Sequence, residues 1–260
     1  MTVDLTAALR TARELADLAD QRALSGFAGP FAVDEKADGS PVTTVDRDIE
    51  RALRRTLAAS HPDHAVLGEE QGGGLSRDVP TWVLDPIDGT RNFVRGIPVF
   101  ATLIALVVDG RAVLGVVSAP ALGERWEAVQ DGGTRRNGVA VHVSAVPALG
   151  KAHLCHGGLT WLRQDAAAWQ RLGRLVDAAE RTRGFGDFWM HLLVAGGMAD
   201  AAFERDLSLW DLAALLPIVE EAGGRVSTFA GGDPLTGDGS LLSSNGLLHD
   251  EVAHVLTGAD

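Results

Sequence analysis

The chain has a single cysteine, Cys155, so no intrachain disulfide can form. Basic residues are scarce. Lys and Arg total 23 against 35 Asp and Glu, a formal net charge of −12. That balance argues against a nucleic-acid binder, which needs a basic face. No basic patch interleaved with aromatics is present, which disfavours a metal-dependent nuclease. No stretch approaches the run of about 20 apolar residues that spans a bilayer, so no membrane association is expected. The N-terminus, Met1-Thr2-Val3-Asp4-Leu5, lacks a basic region followed by an apolar run. No signal peptide is therefore expected, and a cytoplasmic location is the default. Internal repeats, heptads and long low-complexity tracts are also missing. What remains is an ordinary globular composition, 46% hydrophobic and 22% charged, in 260 residues. That length allows one large domain or two small ones. The acidic surplus fits cation binding and solubility equally well.

The most informative stretch is Trp82-Val83-Leu84-Asp85-Pro86-Ile87-Asp88-Gly89-Thr90-Arg91-Asn92-Phe93. An apolar strand runs into Asp85, and Pro86, with no N–H for a ladder, is expected to end it. Asp85 and Asp88 on a rigid turn can face one point. Apposed carboxylates repel unless a cation or a proton lies between them. Gly89 permits close backbone approach, and Thr90 opens a helix whose free N–H groups attract an anion. Sites for a hard cation and a phosphate side by side are the equipment of metal-assisted phosphoryl transfer.

Periodicity places a first helix over residues 4–24 and a second over 45–60, capped by Thr43 or Thr44 with Asp46 in its first turn. Residues 25–41, rich in Gly and Pro, read as an irregular polar segment. A short strand over 64–68 ends at Glu69-Glu70, and pairing beside the Asp85 strand would join their ends. Asp109-Gly110 separates two long β runs, a hairpin signal. Successive hairpins imply an antiparallel sheet with both helices on one face. The pattern changes near residues 144–150, which suggests an N-terminal α+β unit, 1–146, and a C-terminal α/β unit, 147–260. In the second unit a helix over 165–180 should turn Leu172, Leu175, Val176 and Ala179 inward. Ser208 should cap one helix running to about Ala222.

Gly68-Glu69-Glu70, Trp82 to Thr90, and Leu209-Trp210-Asp211 followed by Glu221-Ala222-Gly223-Gly224 together resemble the inositol monophosphatase superfamily. The resemblance runs from the first helix almost to the C-terminus. It implies an α+β layered sandwich of alternating helix and sheet, often assembled as a homodimer. Within the superfamily the chain is most similar to the histidinol-phosphate phosphatases, through residues 85–98, 115–122, 184–188 and 210–215.

The resemblance implies Mg²⁺, two or three ions per site with Mn²⁺ as a substitute. Glu69, Asp85 and the Ile87 carbonyl would hold the first ion. Asp85, Asp88 and Asp211 would hold the second, and a third would share Glu69. Thr90, paired with Asp46, would activate the attacking water. Gly89 and Thr90 amides would hold phosphate oxygens. Lys36 would lie near the phosphate pocket. Asp187 and Glu204 would choose the substrate, because acids favour a cationic alcohol such as histidinol over a neutral polyol. The expected activity is hydrolysis of a small phosphate monoester, L-histidinol phosphate, with inositol 1-phosphate and fructose 1,6-bisphosphate as alternatives. A non-catalytic metabolite binder would be expected to lack one of these carboxylates or Thr90, and none is missing.

Overall fold

The computed structural model describes residues 3–162 and 165–258. Helix α1 (Leu5–Phe27) begins where the Asp4 carboxylate accepts from the Thr6 and Ala7 amides. Helix α2 (Thr44–Ser60) begins with a capping box. The Thr43 hydroxyl accepts from the Asp46 amide, and the Asp46 carboxylate accepts from the Thr43 amide. Between them lies a hairpin, β1 (Val33–Glu35) and β2 (Pro41–Thr43), where an irregular segment was expected. The Lys36 amide closes its turn onto the Ser40 carbonyl at 2.8 Å.

The next seven strands form one sheet in sequence order: β3 (Ala65–Gly68), β4 (Thr81–Asp88), β5 (Ala101–Val108), β6 (Arg111–Ala119), β7 (Glu124–Val129), β8 (Thr134–Arg136) and β9 (Val139–Val141). The short helix α3 (Thr90–Val94) joins β4 to β5. Asp109 and Gly110 both take positive φ, 50° and 78°, as the tight hairpin turn requires. Two expectations are corrected. The sheet is not wholly antiparallel, since β3 and β4 run parallel. Pro86 does not end its strand either: β4 continues to Asp88 through a bulge. A bulge releases Pro86 from any ladder bond, and its carbonyl accepts from Thr102 Oγ1 at 2.8 Å.

The remaining elements are β10 (His153–His156), α4 (Ala166–Ala178), β11 (Arg181–Gly184), α5 (Asp187–Ala195), β12 (Ala201–Glu204), α6 (Leu209–Leu212), α7 (Leu215–Glu221), β13 (Arg225–Ser227), β14 (Leu241–Ser244) and α8 (His249–Thr257). They build a second sheet, ordered β11-β10-β12-β14-β13, parallel on the β11 side and antiparallel on the β13 side. The single helix expected after Ser208 is instead α6 and α7, broken at Ala213-Ala214. Pro217 explains the break, because it has no N–H to return to the Ala213 carbonyl. Val176, expected inward, is 45% exposed, one residue round the helix from the buried Leu175.

Strand alternation sorts the apolar side chains into three cores. Trp82, Leu84, Ile104, Leu106, Leu114 and Val116 face α1 and α2. Val83, Leu103, Ala105 and Val117 face the other way, onto Met190, Leu192 and Ile218 of α5 and α7, which also cover Ala202 and Leu241 of the second sheet. That sheet's outer face, with Leu154, Phe203 and Leu242, packs on Leu172, Leu175 and Val252 of α4 and α8. The layers therefore run helix, sheet, helix, sheet, helix, an α+β sandwich.

Gly115 is where β6 meets the α6–α7 break. A Cβ there would stand 2.1 Å from the Ala214 carbonyl oxygen and 2.9 Å from Pro217 Cγ. Gly115→Ala is therefore expected to cost about 3 kcal/mol in urea denaturation, at the upper end of ordinary overpacking. A change under about 0.5 kcal/mol would show that the layers separate freely there.

Candidate active site

Residues three apart on a regular strand point to opposite faces, so Asp85 and Asp88 should diverge. The bulge prevents this. Asp85 pairs with Leu103 and Asp88 with Ala101, so three residues of β4 span two of β5. Both carboxylates thereby turn toward the middle helical layer. There α6 presents Asp211 from its own capping box, in which Asp211 Oδ2 accepts from the Ser208 amide at 2.7 Å. Ligand oxygens of Asp85, Asp88 and Asp211 all lie within 4.8 Å of one another.

Burial pushes the Asp85 and Asp88 carboxyls well above the usual range, and repulsion pushes them further, from Glu69, Asp88 and Asp211 on Asp85 and from Asp187 and Asp211 on Asp88. Burial likewise drives Asp211 to about 7, with repulsion from Glu69 and Asp187 adding to it. Asp85 Oδ1 is buried without a hydrogen-bond partner. A largely buried, all-oxygen cluster with an unpartnered oxygen fits a hard divalent cation.

Parallel pairing of β3 and β4 sets Glu69 beside this cluster, its amide bonded to the Leu84 carbonyl at 3.2 Å. Glu69 is not one of the three clustered carboxylates. Lys36 Nζ lies 2.7 Å from its Oε1 and 2.6 Å from Glu70 Oε1. Lys36 thus neutralises the acidic pair and does not line the cleft. Thr90 Oγ1 stands 2.9 Å from the Ile87 carbonyl oxygen and 3.3 Å from Asp46 Oδ1. Burial raises the Asp46 carboxyl, opposed by its bonds to Thr43.

A cleft of about 290 Å³ opens over these groups. Glu69, Asp88, Gly89, Thr90, Asp187, Glu204 and Asp211 line it. Asp85, Ile87 and Asp46 do not. Asp85 belongs to the carboxylate cluster on its floor, and the other two touch Thr90. Asp187 opens α5 with φ 52°, and its Oδ2 accepts from Asn92 Nδ2 at 3.0 Å. The next amide, Phe188 N, donates to Asp88 Oδ2 at 2.8 Å, tying this wall to the cluster. Burial raises the Asp187 carboxyl and drives that of Glu204 to about 7, aided by repulsion from Asp187. Glu204 Oε1 accepts from the Gly158 amide at 3.1 Å.

Three features were missed in the sequence: Asn92, which fixes Asp187; Arg205, which lines the cleft while its guanidinium pairs with Asp238; and His191. His191 was detectable as the lone polar residue after the first turn of α5, four positions beyond Asp187. Two tryptophans that could have walled the cleft are packed on other aromatics instead, the simpler reading of their sequence. Trp161 packs on Phe229 and Trp189 on Phe185, and neither lines the cleft.

Carboxylates clustered for a cation beside a helix start, on a layered α+β sandwich, define a phosphoester hydrolase. The chain belongs to the inositol monophosphatase family, whose family model matches residues 4–259. It is 45% identical over 251 residues to a protein of Mycobacterium tuberculosis named histidinol-phosphatase, covering 94% of this chain and 95% of that one. A Streptomyces coelicolor protein of the same name is 43% identical, with 94% of each chain covered. Among solved structures, the extragenic suppressor protein suhB of Bartonella henselae superposes with a TM-score of 0.90 at 27% identity, covering 98% of this chain and 100% of that one. The protein is a phosphatase. No helix among the described residues is long and apolar enough to cross a membrane.

The raised carboxyls set a pH dependence for the metal-free protein. Glu204 and Asp211 titrate near 7 when folded, against about 4 when unfolded. The folded state then binds more protons than the unfolded one between those values, so stability falls as pH rises through 7. In chelator, the melting temperature should drop between pH 6 and 8 by an amount equal to roughly 2 kcal/mol. Millimolar Mg²⁺ should remove most of that drop. A metal-free melting temperature that climbs over this range would refute the assignment.

Proposed function

We propose that the protein is a Mg²⁺-dependent phosphomonoesterase that hydrolyses L-histidinol phosphate to L-histidinol and phosphate. One observation carries this reading: the cleft that holds the carboxylate cluster also holds two further acids, Asp187 and Glu204, on the wall where the alcohol must lie. A neutral polyol gains nothing from them, whereas histidinol brings a primary ammonium and an imidazole. The two relatives named histidinol-phosphatase support the same substrate.

In this reading residues 1–146 supply most metal-binding groups, and residues 147–260 supply Asp211 and the acids that select the alcohol. Asp85, Asp88 and Asp211, with Glu69 and the Ile87 carbonyl, would hold two or three divalent ions, Mg²⁺ or Mn²⁺. Bound there, the ions supply positive charge against the phosphate and acidity to the water nucleophile. Thr90 orients that water and passes its proton toward Asp46, and Glu69 assists. Amides of Gly89 and Thr90, at the start of α3, donate hydrogen bonds to the phosphate oxygens. Asp187 meets the ammonium. A homodimer is part of the same proposal. It is supported by the exposed Phe185 beside β11, which among the described residues is an edge strand of the second sheet.

Phosphate release from a substrate panel tests this directly. Histidinol phosphate should exceed inositol 1-phosphate and fructose 1,6-bisphosphate about 100-fold in kcat/KM. Equal turnover of all three would defeat the substrate assignment. Asp88→Asn should reduce Mg²⁺-dependent turnover by about three orders of magnitude. Asp187→Asn should raise KM for histidinol phosphate about tenfold and leave a neutral sugar phosphate within about twofold. Equal changes on both substrates would contradict the ammonium contact.

A further inference from the structure

Buried polar atoms are almost always paired, so an exception marks a missing partner. Among the described residues four buried side-chain atoms have none: Asp20 Oδ1, Asp85 Oδ1, His191 Nε2 and Glu204 Oε2. Asp20 lies on α1, where its other oxygen meets Arg125 and Ser118. The other three surround the cleft. Asp85 belongs to the carboxylate cluster. His191 and Glu204 line the wall reserved for the alcohol.

His191 is 1% exposed in an otherwise apolar stretch of α5, one helical turn beyond Asp187, so the two share a helix face. Its Nδ1 lies 2.7 Å from Ser243 Oγ on β14. Strand alternation aims Ser243, like Leu241, into the helical layer between the sheets. Donor accounting assigns the tautomer. Among the described residues the Ser243 hydroxyl has no other partner, so its proton is satisfied there by donating to Nδ1. A neutral ring that accepts at Nδ1 carries its proton on Nε2. Burial keeps the ring neutral, its pKa lowered to about 3. The cleft wall therefore offers one fixed donor, His191 Nε2–H, and one free acceptor, Glu204 Oε2.

We propose that His191 is a specificity residue, held in one tautomer by Ser243, whose Nε2–H donates to an acceptor nitrogen on the alcohol part of the substrate. The inference rests on the substrate assignment above. A neutral imidazole has one N–H and one bare nitrogen on the same ring. The N–H matches Glu204 Oε2 and the bare nitrogen matches His191. A ring-deleted analogue, 2-aminopropyl phosphate, keeps the phosphate and the ammonium and loses both groups.

The test compares histidinol phosphate with 2-aminopropyl phosphate on wild-type protein, His191→Met, His191→Gln and Ser243→Ala. Methionine fills the space without a donor, and glutamine restores one. His191→Met should lower kcat/KM for histidinol phosphate about 50-fold, mostly through KM, and leave the analogue within about twofold. His191→Gln should recover to within about fivefold of wild type, and Ser243→Ala should lose about tenfold on histidinol phosphate alone. Equal losses on both substrates, or no loss on either, would overturn the proposal while leaving the substrate assignment standing. A wild-type enzyme that does not prefer histidinol phosphate to the analogue would overturn both. Nitrogen-15 spectra of histidine-labelled wild-type protein give a readout that no folding defect can mask. The His191 proton should sit on Nε2, and that nitrogen should shift with added histidinol but not with inorganic phosphate. A proton on Nδ1, or a shift with phosphate alone, would also overturn the proposal.

Discussion

Three carboxylates held together on the floor of a cleft are the constraint on which the rest of this molecule turns. Asp85, Asp88 and Asp211 would separate if their backbones allowed it, because desolvation and repulsion act in the same direction. The backbones do not allow it. Asp85 and Asp88 are set by a bulge in a fully buried strand, and Asp211 by its bond to the Ser208 amide. Nearby cations are engaged elsewhere: Lys36 with Glu69 and Glu70, Arg205 with Asp238, Arg91 with the Gly39 carbonyl. Only protons or an added cation can relieve the cluster. Structural economy would have replaced it with apolar side chains, so its retention points to chemistry.

The layered architecture supplies the rigidity. The middle helical layer is packed on both sides, against the seven-stranded sheet and against the five-stranded one, through a single continuous core. Asp187, His191 and Asp211 all project from that layer, while Glu69, Asp85 and Asp88 come from the first sheet and Glu204 from the second. The cleft is therefore a junction of three layers. A ligand there contacts groups whose relative positions are fixed by buried apolar packing and close approaches such as that at Gly115.

Much of this was legible in the chain. Thr43 and Ser208 announce helix starts by their side-chain chemistry, and Asp109-Gly110 announces a hairpin. The clustered carboxylates Asp85, Asp88 and Asp211 were visible because they sit in short stretches that resemble a family's motifs. Illegible features depended on tertiary context. Pro86 reads locally as a strand terminator, yet a bulge removes the ladder bond it cannot make. Lys36 reads as a phosphate contact until β1 and β2 pair and bring it to Glu69. His191 reads as one polar residue in an apolar helix, and only the approach of Ser243 from a strand 52 residues later reveals its orientation.

The central claim is that a divalent cation completes the Asp85–Asp88–Asp211 cluster. Crystals of the protein soaked in Mn²⁺ and measured at an anomalous wavelength test it most directly. The account predicts a strong anomalous peak among these three carboxylates, within about 2.2 Å of an oxygen of each. Crystals that hydrolyse histidinol phosphate with no peak at that position, or with the metal bound only elsewhere, would contradict it.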